Sequence, residues 1–224
     1  KERIHVINQQ PSPSISKFIK IEKPLLEKFN KLYPLPKKYI FYPAMYLPHK
    51  NHKYVIDVIK ILKLEYKINL NAVFCGSDKG YLKKIKNYVK EQQLTENIFF
   101  LDFVPNEYLP YLYLKSLALV MPTYSGPTNI PPWEAFKMEI PVLYSDIHNI
   151  KNVYKDAVYY IDPSDPNTMA KGINDIIENK NLKNKLVDNG KKLLSSINVN
   201  EDFRNFFGII NKRKKIKSTW EFKD

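Results

Sequence analysis

Lys50, the loop Ser125-Gly126-Pro127-Thr128-Asn129-Ile130 and Glu134 are the residues whose types could grip a phosphorylated, hydroxylated ligand. Gly126 can take positive φ or let a ligand approach the backbone closely. Pro127 pulls Gly126 out of the helical region, so the chain must turn here. Thr128, Asn129 and Ile130 follow with backbone N–H groups. Pro131-Pro132 suit a helix start, where the missing N–H of a proline would be unpaired anyway. N–H groups just before that start, aided by the helix dipole, favour an anion such as a phosphate. A Pro-rich loop that only changes direction is the plainer reading, and the loop alone leaves both open.

Glu134 falls in the first turn if the helix opens at Pro132, where a glutamate often bonds back to the N-cap N–H. Pro131 as N-cap has no N–H to offer. The carboxylate is therefore expected to point at the loop with acceptor capacity to spare. Beside a phosphate site, the two adjacent hydroxyls of a ribose would suit it. His49 and His52 stand three apart without a third ligand, so no metal is expected.

These residues need a frame, and hydrophobic patterning supplies it. Short apolar runs at Tyr39–Tyr42, Leu70–Cys75, Ile98–Leu101, Leu117–Met121, Val142–Tyr144 and Val158–Ile161 read as six strands. After the first, Val55, Val58, Ile59 and Leu62 share one helical face, with Lys53, Asp57, Lys60 and Lys63 opposite. Leu82, Ile85 and Val89 mark a second helix, and Glu107–Leu114 a short third. Later helices run through Met169, Ile173 and Ile177, from Leu182 to Leu194, and from about Asp202 to Ile210. This alternation predicts an α/β fold, a doubly wound parallel six-stranded sheet in the order 3-2-1-4-5-6. Strands one and four are then neighbours at the switch point, and ligands bind beyond their C-terminal ends. The loops leaving them, Pro43–His52 and Thr123–Pro132, bring Lys50 towards Gly126–Ile130. A lysine opposite a ring of backbone N–H groups makes a diphosphate clamp.

With 224 residues, 44% hydrophobic and 13% aromatic, the chain can bury a sizeable core. It has no apolar run of membrane-spanning length and no signal-peptide pattern. The single Cys75 allows no intramolecular disulfide and fits a reducing, cytoplasmic setting. The net charge of +13 invites a nucleic-acid reading, but residues 95–170 hold four lysines against nine acids, a balance of −5. The excess lies in the flanks, including the run Lys212-Arg213-Lys214-Lys215-Ile216-Lys217. It suits peripheral contact with an anionic membrane surface, beside the plainer reading of a lysine-rich composition. No nucleic-acid-binding motif accompanies it, so no nucleic-acid partner is expected. Gly-x-Gly-x-x-Gly is absent after the first strand, which disfavours a dinucleotide cofactor.

Several of these segments resemble the C-terminal domain of GT-B fold, family 4 glycosyltransferases. Tyr39–His52 looks like the start of that domain. Ser125–Val142 looks like its donor-binding motif, in the branch carrying Gly-Pro-Thr-Asn-Ile-Pro. Phe103-Val104-Pro105-Asn106-Glu107-Tyr108-Leu109 is similar to its nucleobase-contacting turn, and Asp162–Pro166 to its post-sheet turn. The resemblance runs from about residue 38 to 196. Arg3–Pro13 resembles the last strand of the partner domain and the linker out of it.

The resemblance implies a retaining transferase that moves a sugar from a UDP- or GDP-linked donor, without metal or cofactor, onto a glycan or lipid-linked acceptor hydroxyl. Lys50 would contact the diphosphate and Glu134 the ribose, and these two would carry catalysis. Backbone around Phe103 and Val104, with Leu109, would receive the base. Ser125, Gly126, Pro127, Thr128, Asn129 and Ile130 would face the diphosphate and sugar. On this reading residues 1–36 hold the end of an N-terminal domain, a linker and a helix. Residues 37–198 form the nucleotide-sugar-binding Rossmann-like domain, and 199–224 a C-terminal helix and basic tail. An acceptor domain, in cis or in trans, would complete the enzyme. Three positions depart from the family: Gly126 stands for the first glutamate of Glu-x7-Glu, Pro43-Ala44-Met45 for a Gly-Arg pair, and Asn152 for a later glutamate. A nucleotide-sugar 2-epimerase or a non-catalytic nucleotide-sugar-binding subunit are the alternatives.

Overall fold

The computed structural model describes residues 9–18, 20–126 and 129–218. The first part of Arg3–Pro13, the segment that resembles a last strand and linker, lies outside them, as do Pro127 and Thr128. The strands are β1 (Tyr39–Pro43), β2 (Asn71–Cys75), β3 (Ile98–Leu101), β4 (Ala118–Met121), β5 (Val142–Ser145) and β6 (Tyr159–Ile161). They form one sheet in the expected order, β3-β2-β1-β4-β5-β6, with every neighbouring pair parallel. All of β4 and β5, and all of β1 but its last residue, are buried. That is why these strands read as continuous apolar runs rather than alternating ones: helices cover both faces of the sheet.

The helices are α1 (Pro13–Ser16), α2 (Lys23–Leu32), α3 (His52–Leu64), α4 (Leu82–Glu91), α5 (Leu109–Leu114), α6 (Ile130–Lys137), α7 (Ile150–Tyr154), α8 (Pro166–Glu178), α9 (Lys180–Ser195) and α10 (Val199–Ser218). α3 packs against α4 and α8, while α6 packs against α1 and α9. The core is unusually rich in tyrosine. Tyr39, Tyr42, Tyr46, Tyr113, Tyr144 and Tyr154 have no exposed surface. Each hydroxyl still finds an acceptor, as a buried phenol must. Tyr39 donates to the Leu112 carbonyl at 2.8 Å, and Tyr113 packs edge-on to Phe41 with ring centres 5.0 Å apart.

Within residues 1–36, expected to hold a domain end, a linker and one helix, the described part carries α1 as well as α2, and Ile15 and Phe29 are wholly buried in the same core as the sheet. One or two anchors in a short proline-rich stretch leave no periodicity to read. α7, five residues long, escaped notice for the same reason. α10 is longer than expected. It leaves Phe203, Phe206 and Phe207 exposed, and most side chains of the Lys212–Lys217 run lie outside the described residues. No helix among the described residues is long and apolar enough to cross a membrane.

Candidate functional site

β1 and β4 lie side by side, and the loops leaving their C-terminal ends are stitched together. A 3-10 turn, Pro48–Lys50, follows β1 and ends at Asn51, whose φ of 59° is left-handed. The His49 carbonyl accepts from the Tyr124 N–H at 3.0 Å and lies 3.2 Å from the Thr123 hydroxyl. The Tyr42 hydroxyl, at the end of β1, donates to the Lys50 carbonyl at 2.6 Å. These bonds hold the backbone of Lys50 opposite the β4 loop. Its ammonium donates to Asn129 Oδ1 at 3.3 Å. The topology thus joins two residues 79 positions apart, as the strand order required.

Lys50 is half-buried, and that burial lowers its pKa. Among the described residues no carboxylate forms an ion pair with it. A cation taken partly out of water with only a neutral amide for company is under-compensated.

The described residues of the facing loop are equally fixed. Gly126 has φ of 102°, so the conformation that a glycine alone adopts freely is the one in use. Its carbonyl accepts from the Asn129 side-chain amide at 2.6 Å and from the Tyr144 hydroxyl at 2.7 Å, and that amide also contacts the Tyr144 oxygen. Tyr154 donates to the Asn129 carbonyl at 3.3 Å. Ser125 is exposed, and its carbonyl accepts from the Thr123 hydroxyl at 2.6 Å.

One expectation about this loop is corrected. α6 opens at Ile130 with Asn129 as N-cap, not at Pro132. Pro131 and Pro132 therefore sit within the first turn, where they remove two N–H groups from its donor set. The Asn129 side chain makes no cap bond, because the loop and Lys50 use it.

The new start also moves Glu134 into the second turn. The residue is 5% exposed, with Oε2 accepting from the Tyr113 hydroxyl at 2.6 Å and Oε1 from the Ser12 N–H at 3.2 Å. The expected open acceptor is thus a buried tie between α5, α6 and the segment before α1. Burial, then the Glu134 charge, push the Tyr113 phenol well above its ordinary pKa, so the proton stays on tyrosine and is donated to the carboxylate.

The turn after β3 holds the remaining candidates. Phe103 is 81% exposed, Val104 is buried, and Leu109 begins α5. The Leu101 carbonyl accepts from the Gly76 N–H at 3.2 Å and the Tyr46 hydroxyl at 3.4 Å, anchoring this turn to the loops after β2 and β1.

Sequence reasoning passed over the residues that hold the site's backbone: Tyr42, Thr123, Tyr144 and Tyr154. The available signal was a tyrosine at or near the end of β1 and of β5, where valine or isoleucine would have filled the sheet. Sequence reasoning weighed His52 only as a metal ligand beside His49; the residue opens α3 and is fully buried among Tyr42, Tyr46 and Phe74 with ring centres 4.8, 5.0 and 5.1 Å away. Neither ring nitrogen has a partner at hydrogen-bonding geometry. Burial lowers its pKa to about 3, with a smaller opposing pull from the Ala44 backbone and a further push down from Lys50.

A doubly wound parallel sheet with this loop pair at its switch point is the Rossmann-like half of the GT-B glycosyltransferase fold. The chain belongs to the glycosyl transferases group 1 family, whose profile matches residues 26–193. It is 30% identical over 129 residues to the O-antigen chain mannosyltransferase RfbU of Salmonella typhimurium, covering 58% of this chain and 35% of that one. It is 26% identical over 148 residues to the O-antigen chain mannosyltransferase B of Escherichia coli, covering 66% and 38%. The chain thus matches little more than a third of the length of these relatives. Among solved structures, a glycosyltransferase from Rickettsia africae superposes with a TM-score of 0.78 at 14% identity, covering 92% of this chain and 55% of that one. Anabaena Alr3699/HepE in complex with UDP and glucose superposes with a TM-score of 0.77 at 15% identity, covering 93% and 57%.

Proposed function

We propose that this chain supplies the donor-binding wall of a retaining, family 4 glycosyltransferase. It would transfer a hexose from a nucleotide-diphospho-sugar to an acceptor hydroxyl of a growing surface glycan. The observation that carries this reading is Lys50: a half-buried ammonium at the β1/β4 switch point whose described partner is the neutral amide of Asn129. A diphosphate would complete its charge pairing. As the sugar–phosphate bond breaks, the same cation would stabilise the departing charge in place of a metal.

Gly126, where the family's first glutamate is missing, brings no carboxylate near that diphosphate, so the loop adds no like charge against it. Glu134 is held by the Tyr113 hydroxyl and the Ser12 N–H, so a ribose would reach its carboxylate only by displacing the Ser12 contact. The exposed Phe103 and the turn through Leu109 would take the base. Two of the relatives named above are O-antigen mannosyltransferases, which favours a mannosyl group. HepE was crystallised with UDP and glucose, which favours a nucleoside diphosphate on this fold. The acceptor would be met on an opposing domain, at the cytoplasmic side of a membrane.

Incubation with a panel of labelled UDP- and GDP-sugars, with and without an acceptor-bearing membrane fraction, tests the reading. Retention of one nucleotide-sugar on the chain, and transfer of its label once the acceptor half is supplied, is expected. Epimerised sugar, or binding with no transfer by the complete enzyme, would overturn it.

A further inference from the structure

We propose a second anion site at the opposite end of the sheet, a cavity that takes a phosphate-bearing ligand. This cavity of about 750 Å³ opens where β1, β2 and β4 begin, between those strand starts and the junction of α8 with α9. Five lysines line it: Lys37 and Lys38 before β1, Lys115 before β4, and Lys180 and Lys183 on the first turn of α9. Among the described residues no aspartate or glutamate lines it. Five residues of β1, roughly 15 Å of strand, separate it from the Lys50 loop, so it is not part of the site described above.

The charge is uncompensated. Among the described residues, none of Lys37, Lys38, Lys180 and Lys183 has a carboxylate within ion-pairing distance. Among the described residues Lys115 meets the Asn30 side chain, at 2.9 Å, and the ring of Phe29, and burial lowers its pKa. Lys180 and Lys183 also stand at the end of α9 where the helix dipole disfavours cations. Like charges gathered in a concavity repel, and field lines concentrate there. The lysine-rich composition does not by itself account for this. The smaller cavity beside α7, of about 270 Å³, mixes Lys155 and Lys192 with Asp156.

The chemistry indicates what would occupy it. Several ammonium groups suit the three or more oxygens of a phosphate or diphosphate. The walls between them, Leu70, Leu117 and the exposed Ile177, are apolar and favour an anion carrying a hydrocarbon portion. A phospholipid headgroup at a membrane surface and a soluble organic phosphate share this chemistry, and the experiment separates them.

The test is amide NMR of the isotope-labelled chain titrated with inorganic pyrophosphate, and with phosphatidylglycerol vesicles against phosphatidylcholine vesicles. Saturable perturbation at Ser116, Leu117 and residues 180–184 is expected in the wild type and equally in Lys50→Ala, which removes the other anion site. In Lys180→Ala/Lys183→Ala the apparent affinity at these amides should fall about tenfold or more, while the dispersed spectrum reports an intact fold. A response to pyrophosphate identifies a soluble phosphate as sufficient. A response only to anionic vesicles identifies the lipid headgroup. Silence at these amides with both probes, or an unchanged response in the double-lysine variant, would overturn the proposal.

Discussion

His52 makes a prediction that depends on burial alone. A neutral imidazole packed among Tyr42, Tyr46 and Phe74 cannot take a proton without losing solvation that the Ala44 backbone replaces only in small part. Its pKa falls from 6.5 to about 3 on folding. The unfolded chain therefore binds a proton that the folded chain refuses between those values. Stability is complete above the unfolded pKa and is lost as the pH falls below it. At about pH 5 the histidine has withdrawn roughly 2 kcal/mol, from about 1.4 kcal/mol for each unit below the unfolded pKa. Carboxylates add their own acid sensitivity, so the comparison must be differential. His52→Phe keeps a ring in the cage and removes the titration. Any packing penalty, about 1–3 kcal/mol for an overfilled site, is the same at every pH. Urea denaturation of both proteins from about pH 7.5 to about pH 5 reads the difference. The stability gap should move by about 2 kcal/mol in favour of the variant over that range. Parallel pH profiles would show that His52 is solvated or partnered, and the reasoning would fail. Because His52 follows Asn51 directly, its protonation should also loosen the turn that carries Lys50.

Tyr113→Phe deletes the donor to Glu134 Oε2 and leaves a buried carboxylate short of a partner. A loss of about 1–3 kcal/mol by urea denaturation is expected, with no loss contradicting the buried tie. Gly76→Ala would place a methyl 2.2 Å from the Ala44 carbonyl oxygen, forcing the β1 and β2 loops apart. It should cost at least about 1–3 kcal/mol, and nucleotide affinity should fall with it. Gly126→Ala would only touch the Asn129 side chain, at an ordinary contact distance of 3.4 Å, but at a φ of 102°, so a penalty of about 1–3 kcal/mol should come from backbone strain; an unchanged melting temperature would mean the loop relaxes freely.

Strand positions and order were legible because buried parallel strands leave continuous apolar runs, and because the doubly wound order follows from their alternation with helices. The same order brings Lys50 towards the Gly126–Ile130 loop, although not to the Asn129 side chain in particular. What stayed illegible were choices made by single side chains. Whether α6 opened at Ile130 or Pro132 turned on Asn129, which is held by Gly126, Tyr144 and Lys50 rather than by its own helix. That shift changed the surroundings of Glu134 from a loop to a core. The tyrosines that fix the loop carbonyls look, in sequence, like any other apolar residue. α1 was hidden because Ile15 acts through tertiary burial, not pattern.

Calorimetric titration of the wild type and Lys50→Ala with UDP and GDP, and with uridine and guanosine, tests the central assignment most directly. The wild type should prefer one diphosphate to its nucleoside. Lys50→Ala should lose about 1.5–3 kcal/mol of binding to that diphosphate while its nucleoside affinity barely changes. Equal diphosphate affinities for the two proteins, at matched thermal stability, would contradict the placement of the diphosphate on Lys50.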